Sequence, residues 1–143
     1  MDDDIQDLFQ IDLRAALPKG NKPLLETIDK GLSSITRSEF EAMLARWLDR
    51  TAISAIEFPP QARIGLSRDE KQWLQQHKTL RYAVDPNFAP YEFLDEAGHH
   101  RGVSAEMLKV LSHRLGITFE RVPADSWKAA LQLARDRRID LLP

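Results

Sequence analysis

The residues best suited to chemistry lie together in Asp85-Pro86-Asn87-Phe88-Ala89-Pro90-Tyr91-Glu92-Phe93. Two prolines restrict the backbone and predict a fixed, extended path. Phe88 and Tyr91 offer flat faces to a small molecule, and Asp85, Asn87 and open backbone N–H groups could orient it. The same residues fit a plainer part, in which the aromatics plug the end of a sheet and Asp85 or Asn87 caps a turn. Sequence alone leaves both readings open. Trp127 follows a second loop, Pro123 to Ser126, and is a further ligand candidate, although its spacing with Ala130 and Leu131 assigns it to a core face.

Reactive constellations are missing. His99 and His100 adjoin after Gly98, with His77 and His113 far off in sequence, and neighbouring histidines without a second ligand pair read as surface residues. The chain has no cysteine, so it has no disulfide framework and no Cys-based metal site. Glu92 and Asp95 can be drawn as an acid/base pair, but nothing in the sequence perturbs either. Ser67, Ser104 and Ser126 stand at helix starts, where capping accounts for them. There is no glycine-rich phosphate loop. The reading is a chain without catalytic residues, cofactor or metal.

The elements that must position the loop follow from pattern. Leu80 to Val84 is a short apolar run. Ser104 to Leu115 buries Met107, Leu108, Leu111 and Leu115, with Gly116 placed for a left-handed stop. Ile117 to Val122 reads as a second strand. Asp125 or Ser126 caps a helix whose Trp127, Ala130, Leu131 and Ala134 share a face, and Ile139 to Leu142 reads as a third strand. Strands alternating with helices mark βαβ units and a parallel sheet. In such sheets ligands sit beyond the carboxyl ends of the strands, where the 85–93 loop falls. Asp140 reads as a strand residue bonding to a neighbouring loop.

Upstream, Met1 to Asp7 is acidic and reads as a solvated start, and Leu8 to Leu13 as a short strand. Asn21 caps a helix carrying Leu24, Leu25, Ile28, Leu32 and Ile35 on one face. Thr36 and Glu39 form a capping box before Phe40, Met43, Leu44, Trp47 and Leu48. The two make a helical hairpin. Asp49 to Leu66, with Phe58-Pro59-Pro60, reads as a linker packed on a surface. Ser67 and Glu70 cap a short helix reaching about His77.

Composition bounds the partners. The chain has 143 residues, 43% of them apolar and 29% charged, as in a soluble globular domain. A net charge of −2 gives no footprint for nucleic acid or an anionic membrane. No apolar run approaches the ~20 residues of a membrane span. The start, MDDDIQDLFQ, is acidic where a signal peptide would be basic and then apolar.

Three pieces, LRYAVDPNFAPYEFLDEAGHHRG, GVSAEMLKVLSHRLG and DSWKAALQLARDRRIDLLP, together resemble the opening of a type II periplasmic solute-binding domain of Venus-flytrap form. They are most similar to the tandem copies in BvgS-type sensor histidine kinases. FQIDLRAALPKGNKPLLETIDKGLSSITRSEFEAMLARWL resembles the closing part of the same domain, where a last strand precedes a helix pair. The resemblance implies an α/β fold, periplasmic-binding-protein-like II: a partial, parallel βαβαβ half-lobe preceded by a helical hairpin. It divides the chain into a tail of one binding domain (1–50), a linker and short helix (51–79) and the first-lobe segment of a second domain (80–143).

It further implies a fragment of the periplasmic sensory region of a two-component sensor kinase, whose parent is anchored in the inner membrane. The partners would be a small solute (an amino acid or small carboxylate), the rest of a second lobe, a neighbouring sensory domain and a second copy of the parent. This segment itself would touch no membrane. In the family the second aromatic of the loop commonly lies against the ligand, and Tyr91 occupies that position. The arginine that clamps a ligand carboxylate would fall beyond Pro143, so the segment alone is expected to bind little. The alternative is the solute-binding protein of an ABC amino-acid transporter, which would start near Leu80 after a signal. An enzymatic use of the fold finds no residues here, and a self-contained interaction module would need the chain to stop naturally at Pro143.

Overall fold

The computed structural model of the chain describes residues 15–54, 56 and 63–143. The strand expected at Leu8 to Leu13 and the Phe58-Pro59-Pro60 part of the linker lie outside them.

Local capping sets the helices. Helix α1 (Lys22–Ser33) starts where the Asn21 side chain accepts the Leu24 N–H, with Pro23 in the first turn. Helix α2 (Arg37–Leu44) opens on the complete Thr36/Glu39 capping box. A five-residue helix, α3 (Arg50–Ser54), occupies the start of the span read as linker. Helix α4 (Arg68–Gln76) opens on the complete Ser67/Glu70 box. Helix α5 (Val103–Leu115) ends on Gly116 in the left-handed region, φ 64°, as its sequence demands. Helix α6 (Trp127–Arg135) is capped by Ser126. Ser104, by contrast, caps nothing: it lies inside α5, whose start carries no side-chain cap.

Strands β1 (Thr79–Tyr82) and β5 (Thr118–Arg121) pair in parallel, with Leu80 opposite Phe119 and Tyr82 opposite Arg121. On the other edge of β1, Leu141 bridges Tyr82 in parallel, and Leu142 bridges Ala16 antiparallel. Residues 139–142 therefore lie where a third strand was expected but make isolated bridges and no regular ladder. The reason is visible at Asp140. Its carboxylate takes the Arg81 N–H at 2.7 Å, the donor a neighbouring strand's carbonyl would otherwise receive.

Alternation along β1 separates two apolar layers. Leu80, Tyr82 and Val84 face a core built with Leu24 and Ile28 of α1, Leu74 of α4, Leu108, Leu111 and Leu115 of α5, and Leu141. Ala83 faces a smaller cluster with Ala124, Ala130 of α6, Ile139 and Leu142. The parallel sheet is thus covered on both faces, as such sheets require. Leu17 and Leu32 of the segment before β1 pack against the first of these layers. Lys30 Nζ also reaches both oxygens of buried Glu70 at 2.7 Å, which holds that carboxyl below its usual range. Arg114 of α5 reaches the Ser34 carbonyl and Glu39.

Candidate functional site

Because β1 and β5 are parallel neighbours, the loops that follow them leave the same edge of the sheet. The loop after β1 doubles back and is not the extended path expected of it. Strands β2 (Asn87–Phe88), β3 (Glu92–Leu94) and β4 (His100–Arg101) form a small antiparallel sheet, with Phe88 opposite Glu92 and Leu94 opposite His100. The reversal falls at Ala89, Pro90 and Tyr91, and the Ala89–Pro90 peptide is cis. A proline has no N–H to give a ladder, so it sits in the turn and not in a strand.

The five sequence candidates divide. Asp85 caps a turn: its Oδ1 accepts the Asn87 N–H at 3.0 Å. Asn87 is exposed. Phe88 is also exposed, at 37%, so it does not plug the sheet. Its ring tilts by 33° against that of half-buried Tyr91, with centroids 5.2 Å apart. The pair offers one open aromatic surface beside the end of β1. Trp127 is 41% exposed, which corrects its assignment to a core face. Standing at the first position of α6, it projects before the buried stripe begins at Ala130.

Two features hold the loop in place. The first two amides of α5 bond to it, Val103 N to Pro90 O at 3.2 Å and Ser104 N to Tyr91 O at 2.9 Å. The loop carbonyls thereby satisfy helix donors that have no side-chain cap. The second feature is Glu92, which is buried (5% exposed) and accepts the Asp85 N–H at 2.8 Å. Burial raises the Glu92 carboxyl above its ordinary range, against the lowering effect of its bonds to Asp85 N–H and Ser104. Behind the small sheet, the Trp47 ring meets Phe93 edge to face at 5.7 Å. Arg46 pairs with Glu106 at 2.9 Å.

His100 corrects the reading of both histidines as surface residues. His99 is exposed, but His100 is largely enclosed, with Nε2 2.9 Å from Ser104 Oγ and Nδ1 3.3 Å from Tyr82 Oη. Burial, with Arg121 and Lys109 adding, holds the imidazole down to about 4. Ser104 and His100 do not make a nucleophile and its base, because the carboxylate of Glu92 contacts the serine and not the histidine. Asp95 is no acid/base partner for Glu92 either. Its Oδ2 takes Arg101 Nε and its Oδ1 the His99 N–H, both at 2.8 Å. Those bonds hold it at about 2. Among the described residues no cluster of His, Asp and Glu could hold a metal ion.

The Tyr82, Glu92, His100 and Ser104 group escaped sequence reasoning. One signal was present: an inward-facing tyrosine in an alternating strand needs a partner for its hydroxyl.

The buried imidazole has a thermodynamic consequence. Between pH 6.5 and about 4 an unfolded chain binds a proton at position 100 that the folded chain refuses. Stability from this group is therefore complete above 6.5 and lost as pH falls, by about 2 kcal/mol after allowing for partial exposure. Urea unfolding from pH 6.5 to 4.5 should show this decline, and His100→Gln should flatten it. An unchanged slope in the variant would refute the assignment.

Comparison with known proteins now fits the geometry. The family of bacterial extracellular solute-binding proteins, family 3, matches residues 80–143. That part of the chain is similar to this family, and the fold is a partial type II periplasmic-binding-protein lobe of Venus-flytrap form. The chain is 29% identical over 121 residues to the virulence sensor protein BvgS of Bordetella bronchiseptica, covering 85% of this chain and 10% of that protein. It is 27% identical over 99 residues to the sensor protein EvgS of Escherichia coli strain K12, covering 69% and 8%. The crystal structure of the B. pertussis BvgS periplasmic domain superposes with a TM-score of 0.52 at 27% identity, over 76% of this chain and 20% of that one. The chain thus spans a tenth or less of the length of the two curated relatives. No helix among the described residues is long and apolar enough to cross a membrane.

Proposed function

We propose that residues 80–143 are the first-lobe segment of a small-solute-binding domain in the periplasmic sensory region of an inner-membrane sensor kinase. Residues 1–50 are the tail of a preceding domain of the same kind, and 51–79 the connection. The observation that carries this reading is the outward-facing Phe88/Tyr91 pair at the carboxyl edge of a family 3 solute-binding segment. Trp127, itself exposed, adds a further aromatic at that edge, after β5. The two sensor proteins among the relatives favour signalling over delivery of solute to a permease.

The ligand class is amino acids or small carboxylates. Phe88 and Tyr91 supply its apolar contact, and Asn87 a polar one. Ligand shifts an open–closed equilibrium by its differential affinity for the two states. The kinase chemistry belongs to other parts of the parent, which works as a dimer.

The test is calorimetric titration of the protein that carries this chain with the standard amino acids and succinate. At least one should bind, and Tyr91→Ala should weaken it about tenfold or more, roughly one aromatic contact's worth. The melting temperature without ligand should move by only about 2–4 °C. Unaltered affinity in Tyr91→Ala would remove the loop from the site, and no binding by any probe would remove the ligand class.

A further inference from the structure

Beneath the candidate loop runs a chain of polar groups that the binding reading does not use. Its members come from four elements: Tyr82 from β1, Glu92 from β3, His100 from β4 and Ser104 from α5. The contacts are Tyr82 Oη to His100 Nδ1 at 3.3 Å, His100 Nε2 to Ser104 Oγ at 2.9 Å, and Ser104 Oγ to Glu92 Oε2 at 3.4 Å. The other carboxylate oxygen, Oε1, holds the Asp85 N–H at 2.8 Å. Asp85 in turn shapes the loop through Asn87 N.

We propose that these four side chains form a single directional hydrogen-bonded latch that sets the position of the 85–91 loop, with Glu92 as its positioning residue. Its role in ligand binding rests on the reading of that loop given above.

The direction follows from counting donors. An ionised carboxylate only accepts, so Ser104 must give its one hydroxyl proton to Glu92. The Ser104 oxygen then accepts from His100, which places the imidazole proton on Nε2. A neutral imidazole has a single N–H, so Nδ1 accepts from the Tyr82 hydroxyl. One carboxylate thus fixes the proton on three other side chains. The charged groups around the latch are consistent with a neutral ring: Arg121 and Lys109 lie near His100, and Asp85 near Glu92.

Glu92→Gln reverses the whole chain without removing it. The amide oxygen, as the sole acceptor, stays on the Asp85 N–H, and the amide nitrogen now donates to Ser104. Ser104 must then donate to His100 Nε2, which moves the ring proton to Nδ1, facing the Tyr82 oxygen.

Nitrogen-15 NMR of the imidazole, on this chain near pH 7, reads the result directly. The wild type should show His100 protonated at Nε2 and Glu92→Gln at Nδ1. Ser104→Ala breaks the relay, so adding Glu92→Gln to it should leave the His100 tautomer where Ser104→Ala put it. Solvent exchange of the Asp85 amide should rise about tenfold in Glu92→Ala and stay within about threefold of wild type in Glu92→Gln. If Glu92→Ala does not fold, the tautomer series decides alone. Protonation at Nδ1 in the wild type, the same tautomer in wild type and Glu92→Gln, or a tautomer change that survives Ser104→Ala would each overturn the latch. None of these readouts needs a ligand, so a failed latch and a failed binding site are told apart.

Discussion

Replacing Gly102 with alanine is expected to cost the fold about 3 kcal/mol or more and to displace the candidate ligand loop. Gly102 has φ 104° and ψ −174°, a region almost closed to residues with a Cβ. Conformation alone would cost about 1–3 kcal/mol. Space is the second obstacle. A Cβ at this position would lie 2.6 Å from the Pro90 carbonyl oxygen and 2.5 Å from that of Tyr91. These are the carbonyls that receive the Val103 and Ser104 N–H groups. Relief of the clash would therefore pull the loop from the start of α5, leaving two helix donors unpaired and shifting Tyr91. Equilibrium urea unfolding checks the stability. A loss below about 1 kcal/mol would mean that the loop and helix are not locked together as described.

Leu24→Ala is expected to cost about 2–5 kcal/mol. Leu24 is 0% exposed and packs in one cluster with Leu80, Val84 and Leu108. It comes from α1, more than fifty positions before β1 in sequence, so the loss would be felt by the sheet that carries the loop. Leu25, its neighbour, is 46% exposed. Leu25→Ala should stay within about 0.5 kcal/mol, as surface changes do. Paired urea denaturation of the two variants checks this. Equal effects would show that α1 does not lie on the sheet by its Leu24 face.

Much of the fold was legible because its signals are local. Asn21, the Thr36/Glu39 and Ser67/Glu70 boxes, Ser126 and Gly116 each act within a few residues, and each stands where its chemistry predicts. The apolar stripes of α1 and α5 repeat often enough to show a period. The loop did not, because strands of two and three residues carry no period. The start of α5 misled for a related reason. A serine near a helix start suggests a cap, but the donors are met by Pro90 and Tyr91 from another segment. His100 lies between polar neighbours and Glu92 is an acid between Tyr91 and Phe93 in a three-residue strand, so only tertiary contact reveals that each is enclosed. At Ile139 to Leu142 the apolar pattern marks a segment that lies beside β1 but is no strand, because the side chain of Asp140 replaces the ladder bond. Trp127 shared a helical stripe but stands one turn before it meets the sheet.

The layer shared by α1, α4, β1 and α5 separates two units that are easily confused. The stretch that matches the family model begins at residue 80. The unit of cooperative unfolding does not, because Leu24, Ile28 and Leu74 lie on the other side of that boundary and in the same core. A protein cut at the family boundary would expose the faces of Leu80, Val84, Leu108 and Leu111 to water and invite aggregation. The bound of a family match is thus not a mechanical boundary, and the mechanical division is the one a protease or an expression vector will encounter.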